Sequence, residues 1–506
     1  MRTKKLKYNT ITSLLYQIIA IICGFIVPRM IIGAYGSDVN GLISSINEFL
    51  GVITLMEMGI GTVVQSALYG PLSINDKLEV SKIVVAARKF FRKVAIVFLV
   101  YIVGLLFTYP KFINSNYNSI FTGVLIIAIS INYFIQYYFG IVDRLLLIAD
   151  QRGYIFYFVN SVTLILNTIG SIILILLGFQ IHYVKFLAAL IYIIRPFVIR
   201  IYVNRHYSIN RKIEYIGEPI KQKWNGFMQH IASFVLDGTD TIVLSVFSTL
   251  ENVSIYAVYY LVIKGVRELF ISLTSGIQAL LGELWAKKEY NELIVFFKRM
   301  EWIIHSGVVF IFGTTACLIV SFIGIYTKGI NDANYIQPLF AYILTLANAF
   351  RCIRLPYNLM IFAAGRFKES QKNFLIAVCI NLSVSIITVI KWGLIGVALG
   401  TLLAMIYQTC WMAWYSSQNL HKIPFHTYLK QIMVDIITVI TASLIVYLIK
   451  DSSILNSYFD WIIEAVWTCL IWILCIVFIN FVFYQKQTVE ISKYLKRKIS
   501  ENKYQK

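Results

Sequence analysis

Charge is scarce in this 506-residue chain: Asp, Glu, Lys and Arg make up 14% of it while hydrophobic residues make up 58%. An ordinary soluble domain carries about a quarter charged residues, so this composition excludes one. Acids are scarcer still, 25 against 45 Lys and Arg, for a net charge of +20. Cysteine is sparse and scattered. Cys23, Cys317, Cys352, Cys379, Cys410, Cys469 and Cys475 all fall in apolar runs, with no metal-ligand spacing and no paired set, which argues against a disulfide scaffold or a metal centre. The sequence has no Walker loop, no HExxH, no GxSxG and no Cys/His cluster. Those gaps argue against an ATP-driven pump and against the familiar hydrolytic enzymes, and predict a protein that is not an enzyme and holds no cofactor or metal. The basic start Arg2–Lys7 runs into a long apolar stretch with no small-residue cleavage site, which predicts no cleaved leader.

Long apolar runs are abundant. They fall at 10–33, 40–68, 94–109, 119–148, 154–178, 183–203, 225–247, 253–281, 302–326, 335–363, 373–391, 394–416, 427–449 and 460–484. Nearly all reach the roughly 20 residues that span a bilayer. Lipid offers the backbone no hydrogen-bond partner, so each run is expected to be a helix. The expected fold is an all-α polytopic membrane protein of about 14 transmembrane helices. With the N-terminus in the cytoplasm and one crossing per helix, roughly 35 Lys and Arg fall inside and about five outside (Lys111, Lys185, Lys328, Lys391 and Lys450). Both termini are then cytoplasmic. Topology accounts for the basic charge, and no nucleic-acid partner is expected. The inner segments Asn75–Lys93, Asn204–Lys223 and Glu283–Arg299 read as long, partly amphipathic loops that, with the basic tail, lie on anionic membrane lipids.

Shifted by about 214 residues, the chain resembles itself: Arg152 meets Arg366, Asn167 meets Asn381, Ser171 meets Ser385, Val39 meets Val253, and Gly178 meets Gly393 within one residue. The shift spans six helices, an even number, which predicts a parallel repeat. The expected organisation is an N-lobe at 1–203 (helices 1–6), a basic cytoplasmic linker at 204–224, a C-lobe at 225–417 (helices 7–12), two further helices at 418–484 and a basic cytoplasmic tail at 485–506.

A charge near the bilayer centre costs at least about 2.5 kcal/mol, so each one needs a partner, water or a ligand. Lys264 and Arg267 on the eighth run, and Arg351 and Arg354 on the tenth, are pairs three apart that each share a helix face. Pro356 predicts a kink just beyond the second pair. Four such cations suit a diphosphate, gripped bidentately by Arg. Asp237 and Asp240 on the seventh run, or Glu268, are the alternative partners for Lys264 and Arg267. Arg29, beside Pro28, either faces the cavity or reaches outward. Glu48 and Glu57 face opposite sides of the second run, so neither pairs with the other, and one is a candidate for ion coupling. The coupling ion is left open between H⁺ and Na⁺.

The stretch Pro28-Arg29 through Tyr35-Gly36-Ser37-Asp38-Val39-Asn40-Gly41-Leu42, then Met58-Gly59-Ile60-Gly61, resembles the start of bacterial polysaccharide flippases. Asp240-Thr241-Ile242-Val243-Leu244, followed by Val253-Ser254-Ile255-Tyr256, resembles the start of their second half. These belong to the multidrug/oligosaccharidyl-lipid/polysaccharide exporter superfamily. The resemblance implies a flippase that carries undecaprenyl-diphosphate-linked oligosaccharide from the inner to the outer leaflet of the bacterial inner membrane by alternating access, for surface polysaccharides such as O-antigen or capsule. It implies a cationic cavity, which Lys264, Arg267, Arg351, Arg354 and Arg29 are placed to supply, and other polysaccharide-assembly proteins as partners. Asp237 and Asp240 depart from that pattern. Two rivals stand beside it: an ion-coupled multidrug exporter of the same superfamily, in which Asp237, Asp240, Glu48 and Glu57 matter most, and a membrane polysaccharide polymerase or glycosyltransferase, which the short outer loops disfavour.

Overall fold

A computed structural model describes residues 2–113, 117–211, 213, 227–274, 277–449 and 457–485. The expected basic linker from 214 onward and the tail from 486 lie outside these residues. Among the described residues there is no strand. The helices run, in order, α1 Arg2–Tyr35, α2 Ser37–Gly51, α3 Thr54–Ser73, α4 Lys77–Phe112, α5 Ser119–Ile135, α6 Ile141–Ala149, α7 Gly153–Leu176, α8 Ile181–His206 and α9 Phe227–Phe247. They continue as α10 Leu250–Leu273, α11 Ile277–Ala286, α12 Tyr290–Tyr326, α13 Pro338–Ile353, α14 Leu355–Ala363, α15 Phe367–Trp392, α16 Leu394–Asn419, α17 Phe425–Ile449 and α18 Tyr458–Phe483. Among the described residues, twelve helical stretches are long and apolar enough to cross a membrane. α9 and α10 stand where the seventh and eighth crossings are expected, and the charges at Lys264, Arg267 and Glu268 make α10 the more polar of the two. The protein is an all-α polytopic membrane protein.

Two segments expected as loops are helical. α4 starts at Lys77, where Asp76 accepts hydrogen bonds from the Leu78 and Glu79 amides at 3.0 and 2.9 Å, a side-chain N-cap. α12 starts at Tyr290 and runs 37 residues, roughly 55 Å. Both helices extend well beyond the roughly 30 Å of hydrocarbon. Their charged N-terminal stretches, with Lys77, Lys82, Arg88 and Lys93 in α4 and Glu292, Lys298 and Arg299 in α12, are too polar for lipid but contain good helix formers in water.

The fourth helix of each half is interrupted. Between α5 and α6 lies a π-helical turn, Gln136–Gly140. Between α13 and α14 the break falls at Arg354, one residue before the Leu355-Pro356 start of α14. Proline removes the amide that would continue the ladder and crowds the preceding turn. α6 and α14 begin and end at one common offset, the 214 residues that also separate Asn40 from Ser254, whose side chains hydrogen-bond at 2.8 Å. Arg152 and Arg366 are the N-cap residues of α7 and α15. Gly178 and Gly393 both turn the chain at positive φ, +75° and +50°.

The chain divides into two compact units, Met1–Val258 with Gly329–Ala333, and Tyr259–Lys328 with Asn334–Lys506. In unit 1 the core is built on Leu42, Ile46, Leu50, Val84, Phe91 and Leu146. Asp332 accepts from the Ser37 amide at 2.6 Å and the Ser37 hydroxyl at 2.9 Å, which places a carboxylate at the start of α2, where the helix dipole favours it. In unit 2, α15 and α16 cross at Gly396 and Gly400. A methyl group on Gly400 would stand 2.1 Å from the Ser385 hydroxyl and 2.8 Å from the Asn381 carbonyl. Small residues four apart allow such an approach, and Asn381 then donates to Thr401 at 2.9 Å. The fully buried Trp472 of α18 lies over Gly313 of α12, where a methyl group would meet the indole at 2.1 Å. Outward faces stay apolar, as at Ile18, Ile22, Leu474 and Phe478, and lipid is the solvent that suits them.

Candidate functional site

Four cations of unit 2 gather on α10 and at the α13–α14 break. Arg267 is buried, 3% exposed. Its guanidinium reaches Glu268 at 3.1 Å, the Asn348 side-chain carbonyl at 3.3 Å and the Tyr260 hydroxyl at 3.4 Å. Asn348 and Arg351 are three apart on α13 and share a face, so the contact sets Arg267 beside Arg351. Arg267, Arg351, Arg354 and Glu268 all lie within electrostatic range of Cys352. Arg354 is buried, with its guanidinium 5.5 Å from the Phe374 ring of α15. Lys264, exposed on α10, and Arg267 both lie against Tyr260, at 5.9 and 5.7 Å from its centroid, within range for cation–π attraction. The acid Glu268 stands among these cations and bonds the neighbouring Arg267.

The other four acids singled out in the sequence, Glu48, Glu57, Asp237 and Asp240, lie in unit 1, each with its own setting. Glu57 forms an ion pair with Arg144 of α6 and accepts from the Tyr137 hydroxyl at 2.9 Å. Glu48 turns the other way, its carboxylate against the backbone of Gly238 on α9. The two glutamates therefore have separate settings, and the second run that carries them is broken at Val52 and Ile53 into α2 and α3 rather than being one helix with two opposed faces. Asp240 is buried and accepts from Tyr256 at 2.9 Å, while Asp237 is half-buried one turn before it. Arg29 is half-buried and folds back over its own helix toward Gly33.

Two polar constellations were not singled out from sequence. In unit 1 a cavity of about 160 Å³ is lined by Asn132, Gln136, Arg144, Asn160, Tyr192 and Arg195. In unit 2, Glu301 and His305 of α12 are buried with Asp435 of α17. The signal for both was present, an ionisable residue inside an apolar run. α17 and α18 also border an apolar groove of about 500 Å³, lined by Ile437, Ile445, Leu474, Phe478 and Val482 among others.

No protein-family model matches the chain, and no curated protein matches it. Solved structures do. The lipid II flippase MurJ in an inward closed conformation is 17% identical, with a TM-score of 0.70 over 94% of this chain and 98% of its own. An inward-facing multidrug resistance MATE family transporter of the MOP superfamily is 14% identical, with a TM-score of 0.63 over 81% of this chain and 98% of its own. A MOP superfamily transporter from Pyrococcus furiosus, described by the reverse polarity of its binding pocket, is 12% identical, with a TM-score of 0.53 over 83% of this chain and 95% of its own. This polytopic helical chain thus has the fold of the MOP-type membrane transporters.

Proposed function

We propose that this protein is a flippase that moves undecaprenyl-diphosphate-linked oligosaccharide from the inner to the outer leaflet of the bacterial inner membrane by alternating access. The observation that carries this reading is the gathering of Lys264, Arg267, Arg351 and Arg354 in unit 2, with Glu268 bonded to Arg267. Cations within membrane-spanning helices mark substrate or ion pathways, and paired arginines suit a diphosphate. The apolar groove beside α17 and α18 suits a polyprenyl tail. The lipid II flippase and the MATE transporter are each covered to 98%, yet the flippase accounts for 94% of this chain and the MATE transporter for 81%. That difference favours a lipid-linked substrate over a drug. Residues 1–203 and 225–417 would form the lobes, with both termini cytoplasmic.

The test is a strain lacking this gene, in which lipid-linked oligosaccharide is measured with its leaflet assigned. Finished oligosaccharide trapped on the inner leaflet, rescued by the wild-type chain and not by Arg351→Ala/Arg354→Ala, supports flipping. Normal sidedness with raised drug susceptibility sinks it and favours drug export.

A further inference from the structure

Unit 2 holds a buried titratable cluster that the diphosphate site leaves unused. Glu301 and His305 lie four apart on α12, on one face, and are 7% and 0% exposed. Asp435 of α17, also 7% exposed, sets Oδ2 2.6 Å from His305 Nδ1 and accepts through Oδ1 from Gln431 at 3.1 Å. Tyr357 of α14 donates its hydroxyl to Glu301. Tyr428 of α17 stands edge-on to both His305 and Tyr357, at 6.3 and 5.6 Å, and meets the Cys410 thiol of α16 at 3.9 Å. Lys298, a turn before Glu301, and Tyr484, beyond α18, are further ionisable groups near enough for charge to act between them and the cluster. Asp435 lies ten residues into α17, roughly 15 Å along the helix, about half the thickness of the hydrocarbon core.

The repeat shows what a purely structural pair looks like at this place in the fold. In unit 1, Arg88 of α4 bonds Asp143 of α6 at 2.8 Å, both buried. At the common offset, Asp143 corresponds to Tyr357 and Arg88 to Trp302, whose indole donates to Asn480 of α18 at 2.6 Å. The arginine, which keeps its proton at every physiological pH, has gone. In its place stand a carboxylate, Glu301, and an imidazole, the one side chain whose ordinary titration falls between pH 5 and 8. Two carboxylates and one imidazole are buried together here, with the exposed Lys298 as a further cation nearby, so the charge balance of the cluster depends on where its protons sit and the proton count follows pH. A metal ion fits poorly: among the described residues no group of three or more His, Cys, Asp and Glu is arranged to hold one, and the His305–Asp435 contact is at hydrogen-bond length.

We propose that Glu301, His305 and Asp435 form a proton-binding site through which this protein couples to the proton gradient. This deepens the transporter reading and rests on it. One proton enters the cluster, neutralises a carboxylate and leaves in the opposite state. A proton taken up by Asp435 neutralises the carboxylate that holds His305, which weakens the contact between α12 and α17, so the helix pair α17–α18 is the element the proton releases.

The full chain is purified as wild type, Glu301→Gln, Asp435→Asn and His305→Gln, each checked for monodispersity, and infrared spectra are recorded from about pH 5 to pH 9. The expected result is a buried-carboxyl band in the wild type that grows on acidification and is lost in Glu301→Gln or Asp435→Asn, with its midpoint moved in His305→Gln. A carboxyl titration unchanged in all three variants overturns the proposal, with no substrate needed. In proteoliposomes given a lipid-linked diphosphate oligosaccharide, an imposed pH gradient is expected to speed flipping by the wild type and not by His305→Gln, while gradient-free flipping survives. Gradient acceleration that persists in every variant overturns the proton site and leaves the flippase reading standing. No flipping by the wild type under any condition removes the flippase reading while the infrared titration still decides the site.

Discussion

Glu268 is the acid among the four clustered cations, and its removal separates an anion-binding site from a cation-binding one. Its carboxylate bonds Arg267 at 3.1 Å, with the Arg267 side chain 4% exposed and the Glu268 side chain 42% exposed. A charge-assisted bond of this kind contributes about 1.5 to 3 kcal/mol when buried, and solvent at the exposed carboxylate reduces it to about 0.5 to 1 kcal/mol. A diphosphate that takes Arg267 must displace that carboxylate. Glu268→Gln keeps the shape and removes the competing charge, so it is expected to tighten diphosphate binding about two- to fivefold. The assay is calorimetric titration of the purified variant and wild type with a short-chain prenyl diphosphate, repeated at low and high salt because charge contacts weaken as ions screen them. Unchanged or weaker binding in Glu268→Gln, together with unchanged binding in Arg267→Gln, would refute a diphosphate at this cluster. Tighter binding of a lipophilic cation in the same variant would count equally against it.

Arg351→Ala/Arg354→Ala is expected to cut flipping in proteoliposomes by more than about tenfold, a loss of at least 1.4 kcal/mol, with the melting temperature as the control for folding. Gly400→Leu drives a side chain into Ser385 and the Asn381 carbonyl, and overpacking of that kind costs about 1–3 kcal/mol; a lower melting temperature in detergent is the check. Arg144→Met strands the Glu57 carboxylate and is expected to destabilise by about 3–5 kcal/mol, whereas Arg144→Met/Glu57→Leu recovers much of the loss. His421, in the connection between α16 and α17, is buried, its Nδ1 accepts from the Ile423 amide at 3.0 Å, and burial with a nearby Lys298 pushes its pKa down to about 3. The unfolded chain therefore binds the proton first as pH falls below about 6.5. Stability is full above that pH and declines toward pH 3 by up to about 1.4 kcal/mol per unit from this group. A melting curve across that range in His421→Phe should show a shallower acid limb.

The crossings were legible because lipid imposes a length and an apolarity that few other structures share. Pro356 marked the break at Arg354, and the three-residue spacings of Lys264/Arg267 and Arg351/Arg354 marked their shared faces. The helical starts of α4 and α12 were hidden by their charge, although the Asp76-Lys77-Leu78-Glu79 run is itself a capping signal. The choice of partner could not be read. Whether Arg267 takes Glu268, Asn348 or a distant aspartate depends on how α10 and α13 rotate against each other, and no local spacing encodes that. The Glu301–His305–Asp435 cluster was missed for the same reason: its two halves are 130 residues apart, and either half alone reads as an ordinary polar residue in a long helix.

The charges of α10 also bear on how the chain is made. Lys264 and Arg267 together add at least about 5 kcal/mol to the cost of leaving α10 alone in lipid. Asn348, which holds Arg267, is 81 residues further on. At a synthesis rate of about 5–20 residues per second it emerges roughly 4–16 s later. For that interval α10 has its neighbouring Glu268 and little else. Its integration must then wait, held at the insertion machinery or at the bilayer surface, until the helices that follow give its cations somewhere to go.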